Sequence, residues 1–301
     1  MSIETVAKEQ ITEYESRLRS GLPDFEFDHI EIVGDGWDHV AVEVSEVIFR
    51  LPKEHNRNSA REDHVRYETR SLKLLQSRLG VAVPNPIYIS QDFEFFGYPK
   101  LKGILANEAK SKFDPKQVDQ YLDDWAKLAA AIHASIPLDE AKRLGIPELD
   151  FEKHKRQAAT ISTLDNVPEF ISDFAQSVLE AASKVDISRY PKVFLHNDLH
   201  SANIMLEPNT LRINGVIDWS DIQIGPPESE FSRLIDSDHV DINELAQRYA
   251  KLGGSEIDVD LAKTLQQLLW ARVYYYQSTR GNHEGAEETA KKIQDFVEHQ
   301  S

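Results

Sequence analysis

The stretch "FLHNDLHSANIML", Phe194–Leu206, places two histidines, an aspartate and two asparagines between short apolar segments. The stretch "GVIDWSD", Gly215–Asp221, follows it and closes a second apolar run at Asp218. A plain connection between two buried strands does not need so many polar groups. These residues therefore indicate a functional loop, which could handle a metal, a nucleophile or a phosphate.

The first two of these chemistries fit the loop poorly. His196, Asp198 and His200 have an H-x-D-x-H spacing that could begin a transition-metal site, but the sequence offers no second histidine cluster to complete it. Ser201 could be a nucleophile, but it lacks the glycines that surround a nucleophile elbow.

Phosphoryl transfer fits the loop better. Asp198 and Asn203 form a D-x-x-x-x-N pattern, and Asp218 ends the next predicted strand. Mg²⁺ prefers hard oxygen ligands, and Asn203 and Asp218 offer one amide and one carboxylate oxygen. Asp198 is then available to orient and deprotonate a hydroxyl group. This constellation is typical of kinases.

The first hundred residues predict a small sheet. Ile30–Val33, Val40–Val44 and Val47–Leu51 have the composition and alternation of strands, and the last two predict a hairpin. The segment Gly34–Gly36 lies between strands, where two glycines would let the backbone approach an anion closely. An ordinary glycine turn remains the alternative. A dinucleotide-binding loop is not indicated, since no third glycine opens a helix.

A helix is predicted over Glu62–Leu79, and it carries an unexpected charge. Glu68 lies on the apolar stripe of this helix, and a carboxylate facing a core needs a partner. Arg50 lies in mid-strand between apolar residues and needs a partner too. We therefore expect an Arg50–Glu68 ion pair; the alternative is that Glu68 lies at the edge of the stripe and reaches water.

The pattern changes after a predicted strand at Phe93–Tyr98. A break at Pro99–Gly103 precedes a long amphipathic helix that Asp114 can cap, and further helices are predicted over Phe151–Ser162 and Glu169–Lys184. We place the boundary here, with an N-terminal lobe over residues 1–101 and a helical C-terminal lobe over 102–301.

Composition restricts the class of protein. The 301 residues carry a net charge of −17 and no cysteine. That charge repels nucleic acid and anionic membranes, and it suits either solubility alone or a cationic substrate. The sequence shows no apolar run long enough for a membrane span and no signal peptide, so we expect a cytoplasmic protein without disulfides.

The motifs also resemble a known superfamily. "HNDLHSANIML" and "GVIDWSD" resemble the aminoglycoside phosphotransferase and choline kinase superfamily, a branch of the protein-kinase-like fold. "PDFEFDHIEIVGDGWDHVAVEVSEVIFRLPK" is similar to the opening of aminoglycoside 2″-phosphotransferases, whereas "RLP", "YPKL" and "IDWS" are shared with macrolide phosphotransferases. The resemblance implies an α+β fold of two lobes. A mostly antiparallel sheet with one main helix would precede a larger helical lobe, with the nucleotide between them.

The resemblance also implies roles for individual residues. Asp198 would be the catalytic aspartate, and Asn203 and Asp218 would hold Mg²⁺. Glu68 would pair with the cation that binds phosphate. The glycine loop would cover the triphosphate, and the backbone near the lobe boundary would meet the base. Those two nucleotide-binding segments are Gly34, Asp35, Gly36 and Asp38, and Lys100 and Leu101.

The sequence departs from the family pattern at two places. The phosphate-binding cation, usually a lysine, is Arg50 here, with Lys53 as a rival. The family's D-P-x-x-D motif reads "PPESE", so its second aspartate corresponds to Glu230 and the first is lost.

Tyr98 aligns with the gatekeeper position at the back of the base pocket. A bulky ring there should obstruct adenine more than a shifted guanine, and related resistance kinases with tyrosine at this place resemble GTP users. We therefore expect GTP as the phosphoryl donor, with ATP possible. The alternative is that Tyr98 turns into the sheet core and both nucleotides work.

The expected function is transfer of a γ-phosphoryl group to a hydroxyl of a small cationic antibiotic, most simply an aminoglycoside. A macrolide, a choline-like metabolite and a nucleotide-binding pseudoenzyme are the alternatives, and a monomer is expected. An acidic run could bind ammonium groups of the acceptor, or it could be only a solvated face. Its members are Glu228, Glu230, Asp236 and Asp238.

Overall fold

The structure is a computed structural model that describes residues 3–27, 29–36, 39–53, 61–235 and 240–300. The chain forms two compact units. The first comprises Met1–Asp124, Ser135–Ile146 and His200–Ile222, and the second comprises Trp125–Ala134, Pro147–Leu199 and Gln223–Ser301. The first unit therefore takes in three stretches of chain beyond Leu101, where the sequence places the lobe boundary.

Helices and strands are mixed in the first part of the chain, and the later part is mainly helical. The strands are β1 (Ile30–Asp35), β2 (His39–Val44), β3 (Val47–Pro52), β4 (Tyr88–Ile89), β5 (Phe96–Pro99), β6 (Ile104–Leu105), β7 (Val193–Leu195), β8 (Ile204–Leu206), β9 (Ile213–Val216) and β10 (Gln223–Gly225). The helices are α1 (Ile3–Gly21), α2 (Arg61–Arg78), α3 (Ala106–Ala109), α4 (Pro115–Ser135), α5 (Leu138–Leu144), α6 (Phe151–Thr160), α7 (Glu169–Ser183), α8 (Glu228–Phe231), α9 (Ile242–Lys251), α10 (Val259–Thr279) and α11 (His283–Gln300).

The first unit contains the predicted sheet. Its strands follow the order β1-β2-β3-β5-β4, and every pairing within it is antiparallel. The predicted hairpin is confirmed as β2 and β3, in which Ala41 lies opposite Arg50. On the other side of β3, Arg50 lies opposite Phe96 and Ile48 lies opposite Tyr98.

The two faces of this sheet differ in chemistry because side chains alternate along each strand. One face carries His39 and Ala41 from β2, Arg50 from β3, and Phe96 and Tyr98 from β5. The other face is apolar and forms a core with helix α1. The residues of that core are Tyr14, Leu18, Val40, Val42, Val44, Val47, Phe49, Leu51 and Phe95.

Helix α1 was not predicted from the sequence. Tyr14 and Leu18, one turn apart, are buried against the apolar face of the sheet. Burial of a leucine in this way stabilises the fold by about 1.5–3 kcal/mol. The helix also carries Arg17, whose Nη2 atom donates to the backbone carbonyl of Pro52 at 2.9 Å and to the Glu94 carboxylate at 2.6 Å. The sheet-bearing unit therefore has two long helices rather than one main helix.

The predicted strand at Phe93–Tyr98 begins three residues later than expected. Phe93 has a positive φ of 55°, and its amide donates to the Ser90 carbonyl at 3.0 Å. A turn therefore occupies the start of the predicted strand and leads from β4 into β5. Within β5, Gly97 packs against an aromatic ring, because a Cβ at this position would lie 2.4 Å from a ring carbon of Phe49.

The predicted glycine turn differs slightly from the observed one. Strand β1 continues through Gly34 to Asp35, and its register with β2 shifts between Ile32 and Gly34. The amide of Gly36 then donates to the His39 carbonyl at 3.0 Å, which closes the connection to β2. Asp38 lies outside the described residues.

Helix α4 begins as the sequence predicts. The Asp114 side chain accepts from the amides of Lys116 and Gln117, the Gln117 side chain accepts from the Asp114 amide, and Pro115 occupies the first turn. This capping box satisfies amides that the first turn of a helix leaves without intrahelical partners.

The second unit has a helical core of its own. Helices α6, α7, α10 and α11 bury apolar side chains against one another around Phe174, Val178, Leu268 and Tyr274. Trp270 packs edge-on against Phe296 with 5.1 Å between the ring centroids. Several aromatic residues of α10, among them Trp270 and Tyr274, therefore serve this core. Strands β7 and β10 pair antiparallel in this unit, and β7 leads directly into the loop His196–Leu199.

Candidate active site

A buried ion network in the first unit centres on Arg50. Its Nη1 atom donates to Oε1 of Glu68 at 2.5 Å, and its Nη2 atom donates to Oδ1 of Asp218 at 2.6 Å. Arg50 is 6% exposed and Glu68 is fully buried. The predicted Arg50–Glu68 pair is therefore confirmed, and Asp218 joins it from the segment after β9.

Electrostatics hold this network in its charged form. Burial alone would lower the pKa of Arg50, but the carboxylates of Asp218 and Glu68 outweigh burial and raise it above its ordinary value. Glu68 is buried with a guanidinium beside it, and removing that partner would leave an uncompensated charge. The network thus ties β3, α2 and the Asp218 segment together.

Two histidines lie beside the network, and the sequence reasoning missed both. The Nδ1 atom of His39 is 3.5 Å from Nη2 of Arg50, and Nε2 of His64 is 3.6 Å from Oε2 of Glu68. The signal was present in each case. His39 shares a sheet face with Arg50 through the strand register, and His64 precedes Glu68 by one helical turn.

The rival cation takes a different partner. Nζ of Lys53 lies 2.6 Å from Oδ1 of Asp35, at the end of β1. Lys53 is thus paired with the glycine-containing connection, whereas Arg50 is paired with the helix glutamate. In the first unit, Arg50 occupies the environment that the sequence predicts for a phosphate-binding cation.

The segment predicted to meet the nucleotide base begins at Tyr98, which is 5% exposed. The charges of the Arg50 network act on the phenol group of Tyr98. Burial raises the pKa of Tyr98 to about 12, with Arg50 opposing the rise and Asp218 adding to it. The strand register, with Tyr98 opposite Ile48 and Phe96 opposite Arg50, places Tyr98 on the sheet face that carries Arg50 and not in the core against α1.

Lys100 and Leu101 follow Tyr98 at the end of β5. The Lys100 amide donates to the Glu46 carbonyl at 2.8 Å, and its Nζ atom pairs with Glu43 at 2.7 Å. The amide of Lys100 is thus engaged with the turn between β2 and β3. The Leu101 side chain packs against Gly215, because its Cδ2 atom lies 3.3 Å from the position that a Cβ on Gly215 would take.

The two predicted metal ligands, Asn203 and Asp218, lie on neighbouring backbone segments of the first unit. The Ile217 amide donates to the Asn203 carbonyl at 2.9 Å, which places Asp218 next to Asn203. Asp218 adopts a left-handed backbone with φ 60°, and its Oδ1 atom accepts from Ser220 Oγ at 2.9 Å. A non-glycine residue in this region is uncommon and is found where the surroundings hold a side chain in a required direction.

The donor set of this pair fits Mg²⁺. One amide oxygen and one carboxylate offer hard ligands and leave positions for water and phosphate oxygens. The Asp218 side chain is 43% exposed, so the carboxylate is accessible. Among the residues that the structure describes, no group of three His, Cys, Asp or Glu side chains forms a metal site. The H-x-D-x-H alternative therefore gains no support.

In the second unit, a buried carboxylate holds the loop that carries Asp198. Oε2 of Glu230 accepts from the amides of His196 at 2.9 Å and Asn197 at 3.1 Å, and Oε1 accepts from the Leu199 amide at 3.2 Å. Burial raises the pKa of Glu230, but the rings of His133 and His196 and the amide of Asn197 outweigh it, so the pKa lies below its ordinary value. We name these three hydrogen bonds the Glu230 clamp.

Asn197 explains why this loop reads "HND". Its φ is 64°, in the left-handed region that glycine and asparagine tolerate best. Its side-chain Oδ1 accepts from Ser229 Oγ at 2.7 Å, and its carbonyl accepts from Nε of Arg233 at 2.8 Å. Ser229 and Arg233 were not predicted from the sequence, although Arg233 follows Glu230 by one helical turn.

The predicted acceptor ligands divide into two groups. Glu228 and Glu230 are buried, at 1% and 0% exposure. Oε1 of Glu228 accepts from the Asp258 amide at 3.1 Å, and Glu230 forms the clamp. These contacts favour internal roles for both residues. Asp236 and Asp238 lie outside the described residues, so their binding of ammonium groups stays a prediction.

His133, near the end of α4, is a buried, packed histidine. Its Nδ1 atom lies 2.7 Å from the Tyr249 hydroxyl, and its Nε2 atom lies 3.7 Å from Oε2 of Glu230. It therefore lies beside the oxygen that accepts from the His196 and Asn197 amides.

Comparison with known proteins decides the family. A sequence model of the phosphotransferase enzyme family matches residues 29–265. The chain belongs to this family. It is therefore a phosphotransferase with a kinase-like fold, as the loop motifs predict. In the described part of this phosphotransferase, none of the helices has the length and apolar character of a membrane span.

Solved structures of other family members share the fold at low sequence identity. The GDP complex of wild-type aminoglycoside 2'-phosphotransferase-IIIa is similar with a TM-score of 0.79 and 18% identity, over 95% of this chain and 97% of that chain. The GDP and kanamycin complex of APH(2")-IIia has a TM-score of 0.79 and 18% identity, over 94% and 97%. Macrolide 2'-phosphotransferase type I has a TM-score of 0.68 and 20% identity, over 94% and 96%. At this identity, the likeness establishes the fold.

Proposed function

We propose that this phosphotransferase moves the γ-phosphoryl group of a nucleoside triphosphate to a hydroxyl of an antibiotic, with an aminoglycoside as the first candidate. The observation that carries the proposal is the buried Arg50, which joins Glu68 of α2 to Asp218. That arrangement is the one by which kinases hold a phosphate-binding cation. The solved relative that binds GDP and kanamycin supports the choice of acceptor.

Arg50 is suited to the phosphate role despite replacing a lysine. A guanidinium carries five N–H donors in a planar fork, whereas an ammonium carries three. Arg50 can therefore hold two carboxylates and still direct N–H groups to a phosphate oxygen. Lys53 and Asp35 lie beside the glycine-containing connection, where we expect the triphosphate to pass.

Asn203 and Asp218 would hold Mg²⁺, which when bound neutralises charge on the phosphate oxygens. Asp198 accepts the proton of the acceptor hydroxyl. As the hydroxyl oxygen bonds to the γ-phosphorus, the bond from that phosphorus to the bridging oxygen breaks, and the nucleoside diphosphate leaves with the electron pair. The protein's contribution is chiefly positioning and charge stabilisation.

GTP is the donor that we propose, with ATP as the alternative. Tyr98 lies on the sheet face of Arg50 and is coupled to that network, which supports its placement at the back of the base site. A bulky residue there disfavours adenine more than guanine. Solved relatives include GDP complexes and an ATP complex, so the relatives support either donor and the choice of GTP rests on Tyr98.

A macrolide is the second candidate acceptor, and the burial of Glu228 and Glu230 favours it. Two of the four carboxylates expected to bind ammonium groups have internal partners, so the case for a polycationic acceptor rests on fewer residues. The shared fold of macrolide 2'-phosphotransferase type I agrees with this alternative.

The test is an assay of nucleoside diphosphate release with GTP or ATP and a panel of acceptors. The panel contains kanamycin-type aminoglycosides, macrolides and choline, and the product is checked by mass for one added phosphate. We expect acceptor-dependent release with an aminoglycoside and none with the Asp198→Ala variant. If choline alone is phosphorylated, or no acceptor is although nucleotide binds, the proposal is wrong.

A further inference from the structure

The segment after β10 contacts the catalytic loop with three side chains in one helical stretch. Ser229, Glu230 and Arg233 all contact Asn197 or its neighbours within the second unit. The loop groups that Ser229 and Glu230 contact are neutral, namely the Asn197 side chain and the loop amides. The third, Arg233, brings a positive charge to Asp198, and this charge is not needed merely to hold the backbone.

The geometry of Arg233 separates two contacts. Its Nε atom donates to the Asn197 carbonyl at 2.8 Å, which fixes the plane of the guanidinium. Its Nη1 atom then lies 3.6 Å from Oδ1 of Asp198. This distance is within ion-pair range but longer than a hydrogen bond. The arginine thus attracts the carboxylate without engaging that oxygen in a short hydrogen bond.

Such a contact suits a residue that must accept a proton. A short bidentate pair would occupy the carboxylate oxygens and make Asp198 a poorer base, whereas a longer contact attracts the carboxylate and leaves its oxygens accessible. The side chains of Arg233 and Asp198 are 13% and 22% exposed, so screening by water is incomplete. The positive charge of Arg233 therefore acts on the Asp198 carboxylate.

The space beside Arg233 argues against a separate ligand. A cavity of about 20 Å³ adjoins it, lined also by His154, Asn197 and Ser229. A space of this size holds about one water molecule. Arg233 therefore serves the loop and not a second binding site.

We propose that Arg233 is a positioning residue that directs the Asp198 carboxylate toward the acceptor hydroxyl through its charge, while its Nε atom holds the Asn197 carbonyl. This inference rests on the proposed role of Asp198. It assigns to Arg233 an effect on turnover and leaves acceptor and nucleotide affinity unchanged.

The experiment compares Arg233→Lys, which keeps the charge, with Arg233→Gln, which keeps an N–H donor for the Asn197 carbonyl without the charge. Arg156→Gln is the matched control, because Arg156 is exposed on α6 and 3.7 Å from Asp150. We expect Arg233→Gln to lower kcat about tenfold, a part of the roughly 10²-fold or more that a general base contributes. We expect Arg233→Lys, which keeps the charge but loses the Nε–H donor to the Asn197 carbonyl, to recover most of that loss in kcat at a somewhat lower Tm. In both variants KM for both substrates should stay near the parent value, and Arg233→Gln should keep a Tm near the parent.

A second arm removes the base itself. In the Asp198→Asn background, Arg233→Gln should cause no further loss of the residual rate, as two residues acting as a unit are non-additive. If Arg233→Gln keeps the parent kcat, or Arg233→Lys falls as low as Arg233→Gln, the positioning role is wrong. If Asp198→Asn retains near-parent turnover, the role of Asp198 in the proposed function fails instead, and the two failures are distinguished.

Discussion

Glu68 in the first unit and Glu230 in the second unit of this phosphotransferase are both fully buried, and the two carboxylates are stabilised in different ways. Glu68 in the first unit is neutralised by the side-chain charge of Arg50, which comes from a separate strand. Glu230 in the second unit is stabilised by three backbone amides of one loop. The first arrangement joins elements distant in sequence and leaves a cation next to Asp218. The second fixes the shape of the loop that carries Asp198, the proposed catalytic residue.

The comparison distinguishes a carboxylate that fixes the shape of the backbone from one that orients a cation. A fully buried carboxylate whose two oxygens accept from backbone amides, with histidine rings beside it, has no part that can be exchanged for a substrate group, so it acts as an anchor. A carboxylate that holds a cation orients a group that can also bind phosphate. Variants that break each arrangement should therefore differ in which property they change.

The largest effect is expected from Arg50→Met. It leaves Glu68 as an uncompensated buried charge, so the free energy of unfolding should fall by about 3–5 kcal/mol. Urea unfolding followed by circular dichroism measures this. The double variant Arg50→Met/Glu68→Leu should recover much of the loss, since a well-packed apolar pair replaces the ion pair. A parent-like stability in Arg50→Met would show that Glu68 is not held by this charge.

Asp198→Ala should abolish turnover while leaving the fold intact. Losing the residue that orients the hydroxyl costs on the order of 10²-fold or more in kcat. Steady-state kinetics and a nucleotide-binding titration measure the two properties separately. Asp173→Ala, on the exposed face of α7, is the control and should match the parent. Near-normal turnover of Asp198→Ala would contradict the assignment.

Asn203→Ala should weaken binding of the nucleotide with Mg²⁺ at least about tenfold, because it removes one of two proposed oxygen ligands. Titration with and without Mg²⁺ is the measurement. The predicted signature is a smaller difference between the two conditions in the variant. An unchanged Mg²⁺ dependence in Asn203→Ala and in Asp218→Ala would argue against this metal site.

Glu230→Gln should lower the free energy of unfolding by about 1–3 kcal/mol, because an amide group brings N–H donors toward the loop amides. The pKa of Glu230 is lowered from 4.5 in the folded state, so its ionisation stabilises the fold above about pH 4.5 and this contribution is lost as pH falls. The stability difference between parent and variant should therefore shrink in acid.

Glu228→Gln is the matched control, two positions away. Burial raises the pKa of Glu228 above 4.5, so its ionisation costs stability once the pH exceeds that value. This variant should be as stable as the parent or more stable at pH 7. A loss equal to that of Glu230→Gln would show that the clamp is not specific.

The smallest effect is expected from Tyr98→Ala. The kcat/KM ratio of GTP to ATP should exceed one in the parent and fall about tenfold in the variant, since a clash or an unmade buried hydrogen bond is worth roughly 1–3 kcal/mol. Ile48→Ala, opposite Tyr98 on β3, controls for simple loosening of the sheet. ATP used as well as GTP by the parent would defeat the gatekeeper prediction.

Much of the first unit could be predicted because its functional residues interrupt regular patterns. Arg50 in an apolar strand and Glu68 on an apolar helix stripe each require a partner, and the partner proved to be the other. The Glu230 clamp gives no such signal, since its partners are backbone amides that every residue has. The same sequence, "PPESEF", reads equally well as an acidic surface.

Other differences have local causes. Strand β5 begins later than predicted because a turn occupies Phe93. The left-handed backbone of this residue could not be predicted, since phenylalanine has no preference for that conformation. Helix α1 was missed because its polar composition hides the two residues, Tyr14 and Leu18, that attach it to the sheet. The family resemblance supplied the roles of Tyr98 and Lys100, which periodicity alone would have left as strand residues.

The contact between Gly97 and Phe49 restricts how this enzyme can evolve. Any side chain at position 97 would begin 2.4 Å from a ring carbon of Phe49, so Gly97 cannot change without rebuilding the core. If Tyr98 selects the phosphoryl donor as proposed, a lineage under selection to change its donor would do so by substitution at position 98 and not by shifting β5. Shifting the strand to reshape the base site would require coordinated changes at Phe49 and its aromatic neighbours.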